Sequence, residues 1–212
     1  MTKAIIFDCW NTLFHNTQKP HPFKLFAQKL GCDIKDYKFI KLFEKHFMLK
    51  INNNIRVPII NLLIELNIKP TKQKVSTLEK IYKKSYSYHA PFPEVLKELR
   101  FLKKKYKLGL ITNTDYENFN KLCAKYKIEK FFDVIIPSFS VGIMKPNPKI
   151  FELMVNKLGI NKKDIVMVGD SLEDDIRGAE NIGIRGILID RKNKHPKYKK
   201  RITSLKELKK FL

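Results

Sequence analysis

The sequence predicts an α/β protein whose mainly parallel sheet is covered on both faces and whose first strand is followed by a long helical insertion. Three observations predict this. Five short runs, KAIIF (3–7), KLGLIT (107–112), DVIIP (133–137), DIVMVG (164–169) and RGILID (185–190), are continuously apolar rather than alternating. Strands buried on both faces read this way, whereas half-exposed strands alternate. From the second run onward, helix-like segments separate the strands, as parallel crossovers require. Between the first and second runs, residues 15–92 show helical periodicity and no convincing strand. The expectation is a Rossmann-like three-layer core, 1–14 and 93–212, bearing an inserted α-helical unit, 15–92.

The elements follow in order. The first strand runs into Asp8. The insertion then offers PFKLFAQKLG, DYKFIKLFEKHFMLK, VPIINLLIELNI and KQKVSTLEKIYKKSYSY, each with apolar residues at helical spacing. Turn signals at 52–54 (NNN), at Lys69 and Pro70, and at 90–93 (APFP) punctuate them. Phe23, Phe26, Phe39, Phe43 and Phe47 are expected to form the core between these helices. Beyond the third strand, Asn147 followed by Pro148 reads as an N-cap and first helical residue ahead of IFELMVNKLG, which Gly159 can close. Ser204 and Glu207 have capping-box spacing at a last helix, SLKELKKFL.

Composition narrows the class. At 212 residues and 43% hydrophobic content the chain can bury a large core. It lacks both a run of about 18 apolar residues and the layout of a signal peptide, so a cytoplasmic protein with no membrane partner is expected. Cys9, Cys32 and Cys123 are too widely spaced for a metal cluster and too few for a disulfide framework, and are read as reduced and mostly buried. The net charge is +22, and only six of the 43 basic residues are arginine. Such an excess favours encounter with polyanions. Because the lysines are spread over nearly every segment and arginines are scarce, compositional enrichment is favoured over a nucleic-acid reader. The densest cluster is RKNKHPKYKKR, residues 191–201.

In an open α/β sheet, ligands bind at the carboxyl ends of the strands. The residues there are Asp8 after the first strand, Thr112 and Asn113 after the second, Lys145 beyond the third, and Asp170 after the fourth, with Asp174 and Asp175 opening the next helix. A carboxylate can attack a phosphoryl group and split one displacement into two. Two carboxylates and a main-chain carbonyl suit Mg²⁺, a hard cation with oxygen ligands. Lysine, threonine hydroxyl and backbone N–H groups can hold phosphoryl oxygens.

FDCWNTL, LITNT, KPNP and VGDSLEDD, in that order, resemble the four motifs of the haloacid dehalogenase superfamily, and GAENIGIRGILIDR resembles its usual continuation. The resemblance covers nearly the whole core. It implies Asp8 as nucleophile, Mg²⁺ held by Asp8, Asp170 and the Trp10 main-chain carbonyl, and phosphoryl binding by Lys145 and Thr112, with Asn113 adding a contact. Asp175 would orient Lys145 or a metal-bound water. The inserted helices resemble the C1-type cap that closes over the site and chooses the substrate. The basic cluster at 191–201 would start on the active-site edge and attract anionic substrate.

Trp10 departs from the pattern. Phosphatases of this superfamily usually carry a second Asp there, which protonates the leaving alkoxide. Indole N–H cannot replace it. Positioned acid/base catalysis contributes typically about 10²- to 10⁴-fold, so the expected reaction is Mg²⁺-dependent hydrolysis of small phosphorylated substrates with stable leaving groups. Two alternatives stand beside it: a 2-haloacid dehalogenase, which also lacks that Asp but typically loses the carboxylate at the position of Asp170, and a non-catalytic or nucleic-acid-associated protein. None of the five histidines shows metal-ligand spacing, and Cys9 is read as packing.

Overall fold

The computed structural model describes residues 1–85 and 88–212. The last part of the KQKVSTLEKIYKKSYSY pattern, Tyr86 and Ser87, lies outside the described residues. In chain order the elements begin with β1 (Ala4–Phe7) and β2 (Phe14–Asn16), then the helices α1 (Pro22–Leu30), α2 (Tyr37–Phe47), α3 (Arg56–Glu65) and α4 (Lys72–Ser85). β3 (His89–Pro91) returns to the core, followed by α5 (Val95–Lys103), β4 (Lys107–Thr112), α6 (Tyr116–Tyr126) and β5 (Val134–Pro137). Next come α7 (Ser138–Val141), α8 (Pro148–Leu158), β6 (Ile165–Gly169), α9 (Gly178–Glu180), β7 (Arg185–Ile189) and β8 (Arg201–Ile202).

The main sheet has the order β5-β4-β1-β6-β7-β8, and every pairing in it is parallel. All four residues of β1 and all five of β6 are buried, which explains their unbroken apolar runs. One face packs on α5, α6 and the C-terminal segment through Phe7, Leu99, Phe119 and Leu208; the other packs on α8 and α9 through Ile6, Phe151, Met154 and Ala179. The chain winds outward from β1 to β4 and β5, then crosses to β6 on the other side. β1 therefore lies at the switch point, where a crevice opens at the strands' carboxyl ends.

The helix punctuation works as the sequence implies. The Asn147 side chain accepts from the Lys149 N–H, Pro148 is the first residue of α8, and Gly159 closes it at φ 64°. The Ser204–Glu207 capping box is formed, but the segment it opens, Leu205–Phe211, is a 3₁₀-helix rather than an α-helix.

Two expectations about strands are corrected. The interval 15–92 does contain strand: β2 and β3 pair antiparallel, Phe14 with Pro91 and Asn16 with His89, so the chain enters and leaves the insertion through one two-stranded ribbon. Three residues per strand are too few for a readable period. The run 185–190 is not the last strand either, because Arg201 and Ile202 add β8 parallel to β7. Only Ile202 of that pair is apolar, so the signal is lost in the basic cluster.

Helices α1–α4 have a core of their own. Phe26, Phe39, Phe43 and Phe47 are buried there with Leu62, Leu63 and Leu78, and Phe23 packs against them. The Phe43 and Phe47 rings stack with centroids 4.3 Å apart. This apolar cluster is separate from the two that cover the sheet. Away from the ribbon, the Ser138 hydroxyl joins the insertion to the core by donating to the Met48 carbonyl at 2.7 Å.

Candidate active site

Asp8 continues the line of β1, its N–H donating to the Val168 carbonyl at 2.9 Å, so its position is fixed by the sheet. Its Oδ1 accepts from Lys145 Nζ at 2.7 Å, and the same ammonium donates to Asp175 Oδ1 at 2.5 Å. Lys145 is 3% exposed, so this is a buried charge held by two carboxylates. Burial acts to lower the lysine pKa, but Asp175 and Asp8 outweigh it and hold the ammonium above its ordinary value.

Each partner is anchored in turn. Asp175 receives the Ser171 N–H on its second oxygen at 3.0 Å. Ser171 caps the turn Leu172–Arg177 by accepting from the Asp174 N–H, which places Asp174 in the first turn, where an acid is favourable. Gly169, the last residue of β6, allows the approach: a Cβ there would collide with the Asp175 carboxyl group. Asn113 fixes the lysine's backbone from both sides. Its amide nitrogen donates to the Lys145 carbonyl at 3.0 Å, and its amide oxygen accepts the Lys145 N–H at 2.9 Å. The Asn113 side chain is thus a brace for Lys145, a role that its strand-end position alone does not reveal.

Asp170 completes an acidic cluster, in which one carboxylate oxygen each from Asp8, Asp170 and Asp175 lie within 4.8 Å of one another. Burial, then the neighbouring Asp8 and Asp175, push the Asp170 carboxyl up to about 8. Asp8 is pushed up to about 6, chiefly by burial and partly by Asp175, against the pull of Lys145. Among the described residues, Asp8 Oδ2 is buried without a hydrogen-bond partner. Three carboxylates around one ammonium leave an excess of negative charge, and an orphaned buried oxygen needs a positive or donor partner. A divalent cation fits this donor set: Asp8 Oδ2 and Asp170 are available, whereas both oxygens of Asp175 are already taken. The Trp10 carbonyl accepts no backbone hydrogen bond among the described residues, those of this loop using the Cys9, Leu13 and Phe14 carbonyls.

Thr112 is fully buried at the end of β4, and its hydroxyl has no hydrogen-bond partner among the described residues. Asp174 stands at the rim, where α2 approaches. Burial raises its pKa first, then Asp175, with Lys145 and more weakly Lys41 opposing. Cys9 is fully buried, and burial holds its thiol well above the ordinary range, which makes it a packing residue. The basic segment after β7 is pinned by a residue with no obvious sequence signal. The Asp190 carboxylate accepts the Lys194 and His195 N–H groups, each at 2.8 Å, and Arg201 at 2.9 Å.

The Trp10 ring lies 4.7 Å from the His89 ring and lines a cavity of about 320 Å³ between the core and α1, α2 and α4. Phe23, Phe26 and Phe43, expected only as helix core, also face this cavity.

A crevice at the switch point of a parallel sheet, with a buried lysine clamped by carboxylates and helices inserted after the first strand, places the chain in a known class. The family profile described as haloacid dehalogenase-like hydrolase matches residues 2–183, and the chain belongs to that family. Glyceraldehyde 3-phosphate phosphatase of Methanopyrus kandleri is 36% identical over 108 residues, which cover 50% of this chain and 46% of that protein. The enzyme of the same name from Methanothermobacter thermautotrophicus is 39% identical, over 47% and 45%. Human N-acylneuraminate-9-phosphatase is 32% identical, over 53% and 46%. The chain thus spans about half the length of the curated relatives it matches. Among solved structures, 2-haloacid dehalogenase from Pseudomonas syringae pv. Tomato superposes with a TM-score of 0.67 at 22% identity, over 99% of this chain and 97% of that one. The phosphatase from Thermococcus onnurineus gives 0.66 at 24%, over the same shares. Both show a shared fold. No helix among the described residues is long and apolar enough to cross a membrane.

Proposed function

We propose that the chain is a Mg²⁺-dependent phosphohydrolase acting on a small phosphorylated substrate through an aspartyl-phosphate on Asp8. The observation that carries this reading is the Lys145 ammonium bridging Asp8 and Asp175, with Asp8 Oδ2 left unpartnered among the described residues. Asp8 is fixed by β1 and attacks the phosphoryl group. Lys145 neutralises the phosphoryl oxygens, and Asp175 and Asn113 hold it in place. The Thr112 hydroxyl supplies a donor at the strand end. Asp8, Asp170 and the Trp10 carbonyl would hold Mg²⁺, which supplies charge neutralisation for the transferred group. Helices α1–α4 serve as the cap, the ribbon of β2 and β3 as its hinge, and residues 15–92 as its extent. The relatives named for glyceraldehyde 3-phosphate and N-acylneuraminate 9-phosphate support a small phosphorylated substrate.

The decisive experiment is a screen of phosphorylated compounds with and without Mg²⁺, with 2-haloacids as a second class. Phosphate release that needs Mg²⁺, faster from p-nitrophenyl phosphate than from an alkyl phosphate, is expected. Metal-independent halide release from L-2-chloropropionate, with no phosphate release, selects the dehalogenase instead.

Gly169→Ala tests the brace beneath Lys145. The added methyl displaces the Asp175 carboxyl, and a shift of about 1 Å at a positioned group costs roughly 10²-fold in rate. A large fall in kcat is expected, with an unfolding midpoint showing that the fold persists; unchanged kcat means that Asp175 does not set the lysine's position.

A further inference from the structure

Trp10 is the only tryptophan in the chain; half-buried, it packs against the sheet's core and also lines the cavity. The lining includes two residues linked to the nucleophile. Trp10 is two residues from Asp8 in the chain, and Asn113 braces the lysine that touches Asp8. The lining is also aromatic: Phe23 meets Phe43 edge to face with centroids 4.9 Å apart, and Phe26 meets Phe43 at 5.6 Å.

Several polar groups of the lining are already engaged. The Asn113 amide is committed to the Lys145 backbone. Asp115 caps α6 and holds the Asn118 N–H and amide at 2.9 and 2.6 Å. Glu44 pairs with Lys41 at 2.8 Å. His21 accepts the Phe23 N–H. His89 is kept neutral at pH 7, its pKa lowered to about 4 by burial and by Lys125. Among the described residues Asn118 Oδ1 remains a buried acceptor without a partner; beside such polar contacts, a planar apolar group would find the ring faces of Trp10, Phe23, Phe26 and Phe43.

Chemistry points the same way. Without an acid at position 10, the leaving oxygen departs as an anion. A phenol ionises at about pH 10, as a tyrosine side chain does, far below water at about 15.7. We propose that the substrate is an aryl phosphate whose ring lies against Trp10 in the cavity between the sheet's edge and α1 and α2; this rests on the phosphohydrolase reading above. In the first displacement the P–O(aryl) bond breaks and a bond from phosphorus to the Asp8 carboxylate forms. The phenolate keeps the electron pair and takes its proton from water. Attack by water then releases inorganic phosphate and restores Asp8.

Because the chain has one tryptophan, its emission reports occupancy of this cavity directly. In the Asp8→Asn protein with Mg²⁺, phenyl phosphate should change the emission saturably and bind about fivefold or more tightly than cyclohexyl phosphate, which matches it in size and charge. Equal affinities, tighter binding of glyceraldehyde 3-phosphate, or no change in emission overturns the proposal. Phenol against cyclohexanol repeats the comparison without the phosphoryl group. A preference for phenol upholds the aromatic site even where the wild type releases no phosphate, and no preference removes it even where phosphate is released.

Discussion

Replacing Asp8 by Asn is expected to lower phosphate release by on the order of 10³-fold or more while leaving the protein folded. The amide has the carboxylate's shape but cannot attack phosphorus, and no other carboxylate can take over. Asp175 has both oxygens committed, and Asp170 begins the loop after the neighbouring strand β6. The fold should survive because Lys145 keeps its bond to Asp175, so the ammonium is not left buried without a counter-charge. Removing Asp8 also relieves the repulsion that raises Asp170. Phosphate release and a thermal unfolding curve on the same preparation check both halves. Activity within about tenfold of wild type would remove Asp8 from the chemistry.

Trp10→Asp should have the second largest effect, in the opposite direction. A carboxyl group here can protonate a departing alkoxide, and positioned acid/base catalysis contributes typically about 10²- to 10⁴-fold. The variant should gain about that factor in kcat on an alkyl phosphate. On p-nitrophenyl phosphate, whose leaving group needs no proton, kcat should change little and KM should rise as the ring loses its partner. The comparison of the two substrates is the measurement. Equal gains on both would mean that Trp10 obstructs the site rather than leaving it without an acid. No gain on the alkyl phosphate would mean that another group already supplies the proton.

Much of the sheet can be read in the sequence because a parallel strand buried on both faces has no alternative to a continuous apolar run; Ile5, Ile6, Val166 and Met167 are all fully buried. The convergence of Asp8, Lys145 and Asp175 is legible for a similar reason, since topology sends every strand's carboxyl end to one edge. Braces are harder to read. Asn113 holds Lys145 across 32 positions, and Asp190 pins a loop whose composition speaks only of charge. The cavity is harder still. It joins Trp10, Phe23, Phe43 and His89, residues that meet only when α1 and α2 settle over the core. Short elements are lost because two or three residues carry no period, as β2, β3 and β8 illustrate.

The ribbon that carries the insertion also makes the molecule modular. Asn16 and His89 stand directly opposite one another, so the point of departure and the point of return are neighbours in a ladder. A two-residue turn is all that geometry demands to join such a pair into a hairpin. The core's register is therefore indifferent to what hangs from the ribbon, whether seventy-odd residues of helix or almost nothing. Scaffold and appended unit can diverge independently in such a chain, the unit exchanged like a tool on a common handle.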